Sequence, residues 1–189
     1  MARRALLIGL AVVVLTGALA GALWWRWYTS PRYSLHQMVI ALKTDNLDKF
    51  FKYLDLKEIM NNIAASYSKE LPPPKPEEDE WGRLNQQLGR KFARQYLPKF
   101  FEAFDKQIRA LLESYLRGLD NTQILALAAA VSIAKIEVQD DEAQVTLTDP
   151  KTKEPFRFRM SKQPETDTWV IVAVNYDDLK KLVKRELKK

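Results

Sequence analysis

A run of 21 consecutive residues without a charge, residues 5–25, constrains the fold of this chain more than any other feature. At about 1.5 Å rise per residue, a helix over this run would measure roughly 32 Å. That length matches the hydrocarbon core of a bilayer, which is about 30 Å thick. The basic residues Arg3 and Arg4 precede the run. The sequence therefore predicts a single membrane-spanning helix, with the lipid bilayer as the partner of this segment.

Aromatic residues mark the downstream end of the run: Trp24, Trp25, Trp27 and Tyr28. Indole and phenol rings favour the headgroup layer, because an apolar ring and a polar tip are both accommodated there. We therefore assign these four residues to the membrane interface and residues 1–29 to a transmembrane signal-anchor. The order of basic, apolar and aromatic residues predicts that the remaining chain is extracytoplasmic, in the periplasm or at the cell surface.

A cleaved secretory signal is the alternative interpretation of the same residues. Arg3 and Arg4 would form its basic region, residues 5–17 its apolar region, and the small residues Ala18 and Ala20 its cleavage pattern. Both interpretations export the rest of the chain. The retained anchor is favoured because apolar residues continue beyond Ala20 to a full spanning length.

Residues 30–189 have the size of one domain with a core of its own. Ser30 and Pro31 predict a helix start, since Ser is a good cap and Pro suits the first helical position. Asn46 and Asp55 predict the starts of two further short helices. Residues 72–80, rich in Pro and acidic residues, predict a solvated loop. A core-facing helical stripe follows, which includes Leu97, Phe101, Phe104, Ile108, Leu111 and Tyr115 and is widened by Phe100, Leu112 and Leu116.

The period of the apolar residues then changes from helical to alternating. Residues 134–139, 143–148 and 156–161 alternate and predict half-buried strands. Residues 169–174 are apolar on both faces and predict a strand that is covered on both sides. Asn175 followed by Asp178 predicts the cap of a last helix. The expected architecture is α+β: helices, then an antiparallel sheet of about four strands, then a C-terminal helix.

Several segments of the chain resemble one group of proteins. They are the anchor followed by SPRYSL at residues 30–35, DKFFKYLD at residues 48–55, and a meander that ends in Trp169. With these segments the chain resembles an uncharacterised family of membrane-anchored bacterial proteins, related in outline to cystatin-like and nuclear transport factor 2-like folds. The resemblance implies helices packed on a curved sheet around a cavity. It implies no activity and no catalytic residues.

The aromatic residues of the predicted strands are the candidates for a ligand site. Phe156, Phe158 and Trp169 would line the cavity of a binding or interaction module for a small apolar ligand or a protein partner. The same residues at strand spacing also suit a hydrophobic core. Two other functions stay open. One is a hydrolase or isomerase with a buried carboxylate as its base, and the other is a structural membrane-surface protein that self-associates through residues 97–115.

Chemistry-bearing residues are sparse in this sequence. His36 is the single histidine and the chain has no cysteine, which leaves neither a disulfide nor a thiolate zinc site. The paired carboxylates at residues 140–141 and 177–178 suit a turn and a helix start. We therefore predict no catalytic residue, no metal site and no cofactor.

The net charge of the chain is +6. All 24 acidic residues follow Tyr28, so the exported part is only mildly basic, and no nucleic-acid-binding motif accompanies it. We predict no nucleic-acid partner. Basic residues do concentrate on two predicted helices, where they predict contact with anionic headgroups. They are Arg83, Arg90, Lys91, Arg94, Lys99, Lys106, Arg109 and Arg117, and near the C-terminus Lys180, Lys181, Lys184, Arg185, Lys188 and Lys189.

Overall fold

The computed structural model describes residues 16–18, 20–22, 24–70, 88–89, 105–150 and 152–186. The chain is α+β, with a four-stranded antiparallel sheet and a C-terminal helix, as predicted. The predicted loop at residues 72–80, and residues 97–104 of the predicted stripe, lie outside the described residues. The elements are α1 (Pro31–Lys43), α2 (Leu47–Phe51), α3 (Leu56–Glu70), α4 (Asp105–Arg117), α5 (Asn121–Ser132), β1 (Lys135–Gln139), β2 (Glu142–Thr148), β3 (Pro155–Lys162), β4 (Trp169–Val174) and α6 (Tyr176–Glu186).

The membrane span predicted for residues 5–25 lies mostly outside the described residues. Within the described part of the chain, no helix is both long and apolar enough to cross a membrane. Residues 24–28 are helical and lead into α1.

Side-chain caps start the first three helices of the domain. Ser30 is the N-cap of α1 and accepts a hydrogen bond from the backbone N–H of Tyr33, with Pro31 next to it. Asn46 caps α2 in the same way. An oxygen of Asp55 accepts the N–H of Glu58 at 2.9 Å at the start of α3. These local signals were all present in the sequence, and the structure confirms them.

Helices α4 and α5 lie in the described range 105–150. Asp120 and Gln123 form a reciprocal capping box that begins α5. The predicted stripe on α4 is wrong in part, because Leu111 is 71% exposed and Tyr115 is exposed as well. Leu112 and Leu116, which widen the predicted stripe, do pack against the core.

The four strands form a meander in the order β1-β2-β3-β4. Residues 169–172 of β4 are buried, as a strand apolar on both faces requires. The outer edge of β4 pairs with residues 53–55, since the N–H of Ile171 donates to the carbonyl of Tyr53 and the N–H of Asp55 donates to the carbonyl of Ile171, both at 2.9 Å. This pairing covers an edge that would otherwise offer free backbone groups. At the opposite edge, Val138 of β1 is exposed, contrary to its predicted inward position.

One hydrophobic core joins the first helices to the sheet. Met160 and Val145 are its largest fully buried side chains. Around them α1 packs against α5, and α3 packs beside β4. The core also contains Leu35, Met38, Val39, Leu42, Phe50, Phe51, Ile59, Ile124, Val131, Phe158, Trp169 and Ile171.

Candidate functional site

The four residues assigned to the membrane interface form an exposed aromatic group, which we call the aromatic belt: Trp24, Trp25, Trp27 and Tyr28. Each exposes between 45% and 72% of its surface. Large aromatic side chains gathered at one place on a surface mark contact with a membrane, a ligand or another protein. The belt is therefore the strongest candidate for a functional surface among the described residues.

A two-residue connection, Thr29 and Ser30, joins the helical residues of the belt to α1. The hydroxyl of Thr29 donates to the carbonyl of Trp25 at 3.0 Å. The hydroxyl of Ser30 donates to the carbonyl of Trp27 at 2.6 Å and accepts from the N–H of Tyr33 at 3.2 Å. Ser30 thus closes one helix and opens the next, which limits the freedom of the connection.

Three tyrosines gather beside this connection. The rings of Tyr28 and Tyr33 lie 4.4 Å apart between centroids. Burial raises the pKa of Tyr33, and a hydrogen bond with Tyr28 raises it further. The pKa of Tyr53 is also raised, by burial first and then by the neighbouring Tyr28. Tyr53 belongs to the segment paired with β4, and no local sequence pattern indicates that it would lie near Tyr28.

Trp169 fastens the connection to the sheet. Its indole N–H donates to the carbonyl of Thr29 at 2.8 Å. Its backbone N–H donates to the hydroxyl of the buried Ser34 at 3.3 Å. Trp169 is therefore a buried link between β4 and the aromatic belt, a role that strand periodicity alone does not indicate.

Arg32 makes a second attachment, to the C-terminal end of α5. Its guanidinium donates to the carbonyls of Val131 at 3.1 Å, Ser132 at 2.6 Å and Ala134 at 2.8 Å. The last carbonyls of a helix lack partners within it and carry partial negative charge. Arg32 binds two of them, those of Val131 and Ser132, and holds the end of α5 beside the start of α1.

The aromatic residues proposed to line a cavity come together in the core. Phe158 and Trp169 are buried, and Phe156 is half-buried. The rings of Phe156 and Phe158 lie 6.2 Å apart between centroids. A cavity of about 330 Å³ lies elsewhere, between the α1–α2 turn and α4. Its lining residues are Thr44, Asp45, Asn46, Leu47, Asp48, Glu113 and Arg117.

Several of the basic residues described on α4 and α6 take part in ion pairs. On α4, Arg109 pairs with Asp48 at 2.9 Å and with Glu113 at 3.1 Å. Arg117 binds both carboxylate oxygens of Asp45. On α6, Arg185 pairs with Glu154 at 3.1 Å. Much of the positive charge predicted to meet headgroups is therefore engaged within the domain.

The buried carboxylate of the described chain is Asp178. Hydrogen bonds from the Arg157 guanidinium lower its pKa, against the opposing effect of burial. A general acid or base working near neutral pH needs a raised carboxylate pKa, so Asp178 does not fit that role. Asp140 and Asp141 occupy the β1–β2 turn, Asp140 with a left-handed φ of 53°.

His36 is half-buried on α1, with its ring centroid 6.5 Å from that of Trp27. Across the described ranges, no three His, Asp or Glu side chains gather in a way that could hold a metal ion. Comparison with protein families, curated proteins and solved structures found no match to this chain. The function must therefore be argued from the belt and its attachments.

Proposed function

We propose that this chain is a single-pass membrane protein whose extracytoplasmic domain is a binding or interaction module held at the bilayer surface. The observation that carries the proposal is the exposure of the aromatic belt at the end of a 21-residue run without a charge. Isolated exposed apolar residues are ordinary, but a belt at the end of such a run has the composition of a membrane interface.

The attachments of the belt support a module with a set orientation. Thr29 and Ser30 leave no flexible linker between belt and domain, and Trp169 and Arg32 fix the start of α1 to the sheet and to α5. A domain joined this way would present the same surface to the membrane at all times. A tethered domain with a Gly/Ser-rich linker would instead sample many orientations.

The proposal includes the cystatin-like or nuclear transport factor 2-like arrangement, in which a curved sheet surrounds helices. The four-stranded antiparallel meander and the packing of the early helices with the sheet support it. Phe156 is half-buried, so it is the member of the aromatic set that an apolar ligand at the surface would contact.

Headgroup binding by α6 is not part of the proposal. Strand β4 runs from Trp169, next to the belt, to Val174, roughly 17 Å away at 3.3 Å per residue. Helix α6 begins after that far end, and its Arg185 reaches Glu154 just before the start of β3. The basic residues of α6 therefore lie at the end of the sheet away from the belt.

The anchor is tested by Val13→Arg in the full-length chain. An arginine at mid-span costs about 2.5 kcal/mol or more in a helix that crosses the bilayer. We expect the variant to be lost from carbonate-washed membranes or to fail export. Val183→Arg makes the same change on the exposed surface of α6 and should stay in membranes.

N-terminal sequencing of the mature protein separates the anchor from a cleaved signal. We expect the segment to be retained and the domain to be accessible to protease from the extracytoplasmic side. A mature chain that starts at Gly21 and is found in the soluble fraction would contradict the proposal.

A structural protein that self-associates is the second candidate, and the exposure of Leu111 and Tyr115 on α4 favours it. Both residues lie one turn apart on the same face of the helix. Sedimentation of the detergent-extracted chain tests it: Leu111→Glu should shift an oligomer to monomer. A wild-type chain that sediments as a monomer at all concentrations would exclude it.

A further inference from the structure

We propose that the outer face of α5, formed by Leu125, Ala129 and Ile133, rests in the same bilayer interface as the aromatic belt. This inference rests on the proposed membrane anchor and names a second point of contact for the domain. The occupant of the face is the headgroup and upper acyl region of the lipid.

The outer face of α5 is apolar and exposed. Leu125 is 60% exposed and Ile133 is 70% exposed, while Ile124, Ala130 and Val131 face the core. Leu125 and Ala129 are four residues apart on one side of α5, and Ile133, the C-cap residue that directly follows α5, continues the same spacing. They therefore form a continuous apolar stripe on the surface of the domain.

This stripe carries no charge along its length. No charged residue occurs from Asn121 to Ala134, whereas the other exposed aliphatic residues, such as Leu111 on α4 and Val183 on α6, stand among charged neighbours. A helix with an uncharged exposed face has little to gain from water on that face. Among the labelled helices α1–α6, α5 is the one without a charged residue.

Arg32 places the end of this stripe next to the anchor. Its guanidinium binds the carbonyls on both sides of Ile133, at 2.6 Å to Ser132 and 2.8 Å to Ala134. The chain from Tyr28 to Arg32 spans at most about 14 Å even if fully extended. The headgroup layer occupies about 5 to 8 Å on each side of the hydrocarbon core. Ile133 is thus held within short reach of the layer in which the belt would lie.

The same link explains why lipid is a better occupant than a separate protein. The C-terminal end of α5 keeps a fixed position relative to the belt, because Arg32, four residues after Tyr28, binds its carbonyls. Arg32 also gives hydrogen-bond partners to the carbonyls of Val131 and Ser132, which lowers the cost of placing this end of the helix near lipid.

The absence of cysteine from the sequence makes a direct test possible. Ile133→Cys and Leu125→Cys in the full-length chain, each labelled with an environment-sensitive fluorophore, are reconstituted into phosphatidylcholine vesicles. Val183→Cys on α6 is the matched control, an exposed aliphatic position away from the belt. We expect a shift of emission to shorter wavelength, and quenching by a lipid carrying a shallow quencher, at positions 133 and 125 but not at 183.

Three results would overturn the inference, and they differ in what else they affect. Labels at 133 and 125 that behave like the label at 183, on protein bound to vesicles, would reject the α5 contact and leave the anchor in place. Shielding that rises with the protein-to-lipid ratio would identify a second copy of the chain as the occupant. Protein that does not associate with vesicles would reject the proposed function together with this inference.

Discussion

The indole N–H of Trp169 donates to the carbonyl of Thr29 at 2.8 Å, which joins the first residue of β4 to the last residue before the domain. The two residues are 140 positions apart in the sequence. Trp169 is buried, while the belt residues that immediately precede Thr29 are exposed. A core residue of the sheet therefore determines how the exposed aromatic belt sits on the domain.

Replacement of Trp169 by Phe should loosen this joint. The variant loses a hydrogen bond worth about 1 kcal/mol and leaves a small cavity where the larger ring was. We expect a lower free energy of unfolding in urea and faster amide exchange over residues 29–34. Trp27→Phe is the control, since it makes the same change on the exposed belt. If the two variants lose the same free energy of unfolding and show the same amide exchange over residues 29–34, the hydrogen bond to Thr29 does not stabilise the connection.

Replacement of Arg32 by Lys should weaken the attachment of α5 to α1. A lysine keeps the charge but lacks the planar fork that reaches three carbonyls together. Hydrogen bonds from a charged group contribute about 1.5 to 3 kcal/mol, so we expect a loss of about 1 to 2 kcal/mol in the free energy of unfolding. Arg26→Lys, at an exposed position upstream, should leave stability unchanged.

The order of the elements followed from the sequence because their signals are local. A cap such as Asn46 acts within three residues, and the alternation that marks β2 and β3 is complete within each strand. The turn at Asp140 and Asp141 likewise depends on residues in contact along the chain. These features were predicted and are confirmed.

The attachments of the belt could not be predicted, because each joins distant parts of the chain. Tyr53 approaches Tyr28 only because residues 53–55 pair with the edge of β4. Arg32 reaches a helix end about a hundred residues downstream. On α4, periodicity predicted one wide stripe that contains both Leu111 and Leu112, and the packing that buries only the Leu112 side of it is a tertiary outcome.

The capping box of α5 should contribute measurably to stability. The side chain of Asp120 accepts the N–H of Gln123 at 2.8 Å, and the side chain of Gln123 accepts the N–H of Asp120 at 2.8 Å. Asp120→Ala should lower the free energy of unfolding by about 1 kcal/mol. Asp120→Asn keeps an oxygen acceptor and should restore most of the loss. If Asp120→Asn is as unstable as Asp120→Ala, the stabilising contribution comes from the negative charge of Asp120 and not from its capping hydrogen bond.

The ion pair between Asp178 and Arg157 should make the free energy of unfolding of the domain decrease at low pH. Asp178 is buried and accepts hydrogen bonds from the backbone N–H of Arg157 at 3.0 Å and from its Nε and Nη2 at 2.8 Å. The guanidinium hydrogen bonds lower the pKa of Asp178 in the folded chain. A folded pKa below the unfolded value of about 3.9 means that the carboxylate stabilises the fold fully above that pH. The contribution is lost as the pH falls through the folded pKa.

Asp178→Asn removes the titrating group while keeping its size and one acceptor. At pH 7 we expect the free energy of unfolding to fall by about 2 kcal/mol, because charge-assisted hydrogen bonds to a buried group are lost. As the pH falls from about 4 through the folded pKa of Asp178, the difference between the variant and the wild type should shrink, since wild-type Asp178 becomes protonated only over that range. Asp177→Asn is the matched control on the exposed neighbour, whose ion pair with Lys180 at 3.3 Å is open to solvent. Urea unfolding from pH 2.5 to 7 checks both, and a constant difference between Asp178→Asn and wild type across that range would contradict the lowered pKa.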